Sequence, residues 1–198
     1  VHLCKSNDIV VYHDEIIPKI GKIYDTELKI LSKKSWNSLS INEVKQKSKI
    51  KIFDNEIKNK HVLLRNINAY FDHDLSLSVR GIEQSNRKDM IFEIIMMRFD
   101  ILQKNRKALQ SIFNSLKSKP QKLIFLLPYL LDSMILIANY ANISVRGLRG
   151  QLRLKGILII YCSTFLIWMK DDSTSLEKTM TSLDSNLNKA GSILKFFQ

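Results

Sequence analysis

The feature that most constrains this chain is that its apolar residues recur at steps of three and four along most of its length, with little glycine or proline to interrupt them. Steps of that size place side chains on one face of an α-helix, whereas a half-buried strand needs strict alternation. Six Gly and three Pro in 198 residues leave too few tight turns for a sandwich or a barrel, so the expected class is all-α. With 45% hydrophobic residues the chain can bury a core without disulfides or metal. Cys4 and Cys162 are far apart and belong to no Cys/His ligand cluster, which fits a reducing compartment. Residues Val1 to Glu15 hold only the short apolar run Ile9 to Tyr12 and no secretory signal, so cytoplasm is the expected location.

Ile16, Ile17, Ile20, Ile23, Tyr24, Leu28 and Leu31 make the apolar face of a first helix, opposed by Lys19, Lys22, Lys29 and Lys33. The polar run 34–38 ends it. Ser40 and Glu43 stand in capping-box spacing, with Leu39 and Val44 as the hydrophobic staple, so a short helix is expected from Ile41. Ile52, Phe53 and Ile57 suggest a second short helix, followed by a longer one from about Lys60. After the polar stretch Arg80 to Arg87, residues Met90 to Leu102 read as a helix apolar nearly all round, and another runs from about Arg106 to Leu116. Leu123 to Ala138 and Leu154 to Met169 are apolar enough to raise a membrane span, but Pro128 and Asp132 interrupt the first and the second is short. Both are expected as buried bundle helices, with no transmembrane segment. The last helix should start after Asp171-Asp172-Ser173, with Thr174 and Glu177 as its capping box and Leu176, Met180, Leu183, Leu187, Ala190, Leu194 and Phe197 as a heptad seam.

Helix, two short helices, a long helix and an apolar helical body is an order that resembles the TetR family. Leu39-Ser40-Ile41-Asn42-Glu43-Val44 is similar to that family's entry into its helix-turn-helix, and Asn59-Lys60-His61-Val62-Leu63-Leu64 to its entry into the linking helix. The turn glycine and the aromatic pair usual in the recognition helix are replaced by Lys49-Ile50-Lys51 and Phe53-Asp54. Arg87 to Asp100, and Trp168 to Ser173 with Lys178-Thr179-Met180 and Leu183-Asp184, resemble one bacterial branch of TetR-like proteins, which is also similar to the lipid-binding accessory family of ubiquinone biosynthesis. The resemblance implies an N-terminal extension over 1–15, a helix-turn-helix-like head over 16–72, and a ligand-binding, dimerising body over 73–198.

Two functions follow as expectations. In the first, a homodimeric regulator meets DNA through Ser40, Lys45, Lys49, Lys51, Asn55, Lys58, Asn59 and Lys60, since cations there would neutralise phosphates and release counterions. The formal charge of +12 suits such a partner, although codon bias toward Lys would produce it too, and Asp54 and Glu56 in the recognition segment would repel phosphate. In the second, the chain keeps the TetR shape, has abandoned DNA, and binds a lipid or isoprenoid. Both use a body pocket for a small apolar ligand at Met96, Met97, Phe99, Tyr129, Met134 and Trp168, residues that would equally serve as plain core. Arg98, amid apolar neighbours, needs an acceptor such as Asp100, Asp132 or a ligand acid. TetR-like bodies pair through their last two helices, which implies a dimer interface at Ile160, Phe165, Leu176, Met180, Leu183, Leu187 and Leu194; alternatively the apolar helix Leu123 to Ala138 covers these helices within one chain. Asp72-His73-Asp74 lacks the spacing of a metal site, and no nucleophile elbow, phosphate loop or dinucleotide fingerprint occurs, so neither metal, cofactor nor enzymatic activity is expected.

Overall fold

A computed structural model describes residues 24–48, 57–83 and 85–194, and among them every regular element is a helix. In chain order these are α1 (24–31), α2 (Ile41–Ser48), α3 (Lys60–Ser78), α4 (Arg87–Gln103), α5 (Arg106–Leu116), α6 (Pro120–Ile124), α7 (Leu127–Tyr140), α8 (Gly147–Trp168) and α9 (Glu177–Leu194). The chain divides into two compact units. One holds residues 1–73 and 105–125, and the other holds 74–104 and 126–198. The boundary therefore falls inside α3, and α5 and α6 cluster with the first unit although the sequence placed them in the body.

In the first unit Tyr24, Leu28 and Leu31 of α1 are buried with Trp36, Leu39, Val44, Ile57, Leu63, Ile67 and Phe71. Leu39 and Val44 sit on either side of the start of α2, as a staple should. Glu43 is held by Lys34 at 2.8 Å and Lys47 at 2.9 Å. Those two hydrogen-bonded ammonium groups lower its pKa. Ala108, Ile112 and Leu116 are the buried face of α5, and Ser111 Oγ donates to the Lys34 carbonyl at 2.8 Å. The expected helical residues before Tyr24 and the expected helix at 52–57, apart from Ile57, lie outside the described residues.

Glu27 is fully buried on α1, and neither carboxylate oxygen has a hydrogen-bond partner among the described residues. Burial raises its pKa well above the ordinary value of 4.5. A raised folded-state pKa means that this group stabilises the fold below the unfolded value and that the benefit is lost as pH rises toward the folded one. Glu27→Gln, which cannot ionise, is therefore expected to be more stable than wild type at neutral pH. Urea unfolding should show wild type losing stability from about pH 4.5 upward while the variant does not. Equal midpoints at pH 7 would contradict the assignment.

The second unit is a bundle in which α4 packs on α7 and α9, and α8 packs on the same two helices. Asn86 caps α4 by accepting from the Asp89 amide at 3.0 Å. Residues 123–138, expected as one buried helix, are broken at Phe125 and Leu126, and α7 buries only Ser133, Met134, Ile137 and Ala138 while Leu127 is exposed. Pro128 lies in the first turn of α7, where its missing amide costs nothing. Gly150 lets the start of α8 lie against the preceding loop, since a Cβ there would fall 2.2 Å from the Val145 carbonyl carbon.

The corner between α8 and α9 is built by Asp171. Its carboxylate accepts from Ser173 N and Oγ at 3.2 and 2.5 Å, and from Thr179 N and Oγ1 at 2.9 and 2.7 Å. Ser173 Oγ accepts from the Glu177 amide at 3.1 Å. Asp171 and Ser173 thus cap α9, where the sequence had pointed to Thr174. These bonds brace Leu176, a buried residue in the left-handed region at φ 54°, which costs on the order of 1–2 kcal/mol for a side chain of this kind.

Candidate functional site

The bundle interior holds an aromatic and sulfur-rich wall with one charged group set into it. Phe99, Met134 and Trp168 are fully buried, and Met96, Met97 and Tyr129 are half-buried. Phe99 stacks on Tyr161 with ring centroids 5.5 Å apart and meets Trp168 at 5.9 Å, and Phe165 meets Trp168 at 5.4 Å. Trp168 Nε1 donates to Gln103 Oε1 at 2.9 Å, which satisfies the indole inside the core.

Arg98 on α4 is the one buried Lys or Arg among the described residues. Its Nε donates to Tyr161 Oη at 3.1 Å and its Nη2 to Ser133 Oγ at 3.4 Å, while the guanidinium lies 5.6 Å from the centre of the Tyr161 ring. Ser133 in turn donates to the Tyr129 carbonyl at 3.1 Å. Three helices, α4, α7 and α8, therefore converge on one cation through two hydroxyls that the sequence did not single out. One turn beyond Tyr161, Thr164 is fully buried with its hydroxyl unpartnered.

The expected DNA-contacting residues fare differently. Lys49, Lys51 and Asn55 lie outside the described residues. Ser40 and Lys58 are exposed and Lys45 is half-buried. Asn59 is the N-cap of α3, its Oδ1 accepting from the amides of His61 and Val62 at 3.0 and 2.9 Å. Lys60 is a clasp rather than a free cation. Its ammonium donates to the carbonyls of Trp36 and Asn37 at 2.8 and 3.1 Å and lies 5.6 Å from the Trp36 ring centre. Burial lowers its pKa, and the positive charge of Lys122 lowers it further.

The expected dimer residues lie largely in the bundle's own core. Ile160, Leu176, Leu183 and Leu187 are buried within a single chain, Phe165 is half-buried, and the side chain of Leu194 is outside the described set. Of the described seam residues, Leu176, Leu183 and Leu187 are buried in the bundle and Met180 is exposed. Among the described residues, the outer side of α8 exposes Leu148, Leu152, Ile159, Leu166 and Ile167. That helix is long and apolar enough to cross a membrane by length and composition alone, yet Ile157, Tyr161, Thr164 and Trp168 along its other side are core of the bundle. No group of His, Cys, Asp and Glu among the described residues could hold a metal ion.

No protein-family model matches the chain, and a search of curated proteins finds none that matches it.

Proposed function

We propose that this protein binds an amphiphilic lipid or isoprenoid in its helical bundle and keeps a TetR-type shape without reading DNA. Arg98 is the observation that carries this reading. A buried cation gives packing no advantage, since hydrophobic replacements of buried ions are often neutral or stabilising. A guanidinium beside two hydroxyls, walled by Phe99, Tyr161 and Trp168, suits a ligand with an apolar body and an electron-rich head such as a carbonyl, carboxylate or phosphate. The DNA reading loses two of its contacts, because Lys60 and Asn59 serve the fold of the head. Solvent extraction of protein purified without detergent should yield a prenyl or acyl lipid in near-stoichiometric amount. Protein free of lipid that shifts its own upstream DNA in a salt-sensitive way would overturn the proposal in favour of the regulator.

We further propose that two copies pair through the outer face of α8. Leu152, Ile159 and Leu166 are exposed at seven-residue spacing, the repeat by which one helix meets another along a seam. Arg149, Arg153 and Lys155 crowd the N-terminal half, with no acid on the helix, so an antiparallel partner avoids setting these charges side by side. Leu152→Glu with Ile159→Glu should halve the mass found by light scattering and leave helicity intact. An unchanged dimer mass, or a wild type that is already monomeric at micromolar concentration, would contradict this pairing.

A further inference from the structure

The segment 105–125 contains Arg106, Lys107, Lys117, Lys119 and Lys122 and no Asp or Glu. At its end, around α6, the chain exposes two large apolar side chains in succession, Ile124 at 67% and Phe125 at 62%. Lys117 and Lys119 are exposed beside them and Lys122 is half-buried. The Phe125 ring meets the exposed His61, with centroids 5.4 Å apart. Lys122 lies close enough to Lys60 for their like charges to repel.

We propose that the corner 117–125 docks the protein onto an anionic lipid bilayer, with Ile124 and Phe125 entering the interface and Lys117, Lys119 and Lys122 meeting headgroup phosphates. Exposed aromatic and aliphatic side chains in a lysine-rich segment match a bilayer interface in both of its layers, the apolar boundary and the charged surface. A nucleic-acid duplex would satisfy the lysines but leave Ile124 and Phe125 in water or against phosphate. The docking is independent of whether the bundle holds a lipid.

Co-sedimentation of the full chain with phosphatidylcholine vesicles, with and without phosphatidylglycerol, tests it. The protein should bind only the anionic vesicles, and added salt should weaken the binding. Ile124→Ser with Phe125→Ser should reduce binding at least about tenfold, and Lys117→Gln, Lys119→Gln and Lys122→Gln together about a hundredfold, since each surface lysine contributes roughly fivefold. The two serine changes fall on exposed positions, so circular dichroism and the bundle's extracted lipid should be unchanged, which separates this result from failure of the lipid-binding reading. Undiminished binding by the serine variant, equal binding to neutral vesicles, or loss of binding only in Leu152→Ser with Ile159→Ser would overturn the proposal. So would duplex DNA binding that depends on the three lysines in a protein that ignores vesicles.

Discussion

Leu183→Glu combined with Leu187→Glu is expected to abolish the cooperative unfolding of the α4–α7–α8–α9 bundle, not to release intact monomers. Both leucines are fully buried in one chain, on the face by which α9 packs on α4 and α8. Each substitution removes an apolar side chain, at about 2–5 kcal/mol, and forces a carboxylate to be buried or the helix to open. Two such changes match the whole stability of an ordinary domain, about 5–15 kcal/mol. Circular dichroism melts should show a large loss of helix at room temperature. A helical, cooperatively melting monomer would mean that the seam faces a second copy after all.

Asp171→Ala carries the next largest effect. The variant leaves the amide and hydroxyl of Thr179, and the amide and hydroxyl of Ser173, without their carboxylate, and it withdraws the brace from the left-handed turn at Leu176. A loss of about 3 kcal/mol is expected, from a lost cap with buried donors left unmet. The pH dependence gives a second check. Burial alone would raise the carboxyl's pKa, but hydrogen bonds from Ser173 and Thr179 outweigh it and hold the group well below the ordinary 3.8. With a depressed folded pKa, the stabilisation is complete above the unfolded value and is lost as pH falls below it toward the folded one. Denaturant midpoints should therefore differ between wild type and Asp171→Ala at pH 5 to 7 and converge only in strong acid. A constant difference through pH 2 would show that the carboxylate charge is not the source.

The helices were legible in the sequence because burial repeats at the helical period, and the start of α2 was legible because Leu39 and Val44 are neighbours in the chain. Features decided by distant residues were not. The seam Leu176, Leu183, Leu187 has the same spacing whether it meets its own bundle or another copy, and only the packing of α9 on α4 and α8 decides. Asp171 caps α9 through Thr179, eight residues on, outside the local spacing of a capping box. The break at Phe125 and Leu126 lies in an apolar run with no Gly, Asn or Asp, and Pro128 just beyond it is its local sign. Lys60 reads as a phosphate contact until the carbonyls of residues 36 and 37 fold back onto it. Arg98 announced its need for acceptors, but Tyr161 and Ser133 arrive from two other helices, 63 and 35 residues away.

The Arg98 guanidinium is proposed to hold the head of an amphiphile inside the bundle, and native mass spectrometry of wild type beside Arg98→Met tests this. Methionine fills similar space without charge, so the variant should keep its thermal midpoint within a few degrees or gain slightly. Wild type is predicted to fly with a lipid-sized adduct, and Arg98→Met without it. An adduct of equal occupancy on both proteins, or none on wild type released under the mildest conditions, would contradict the account.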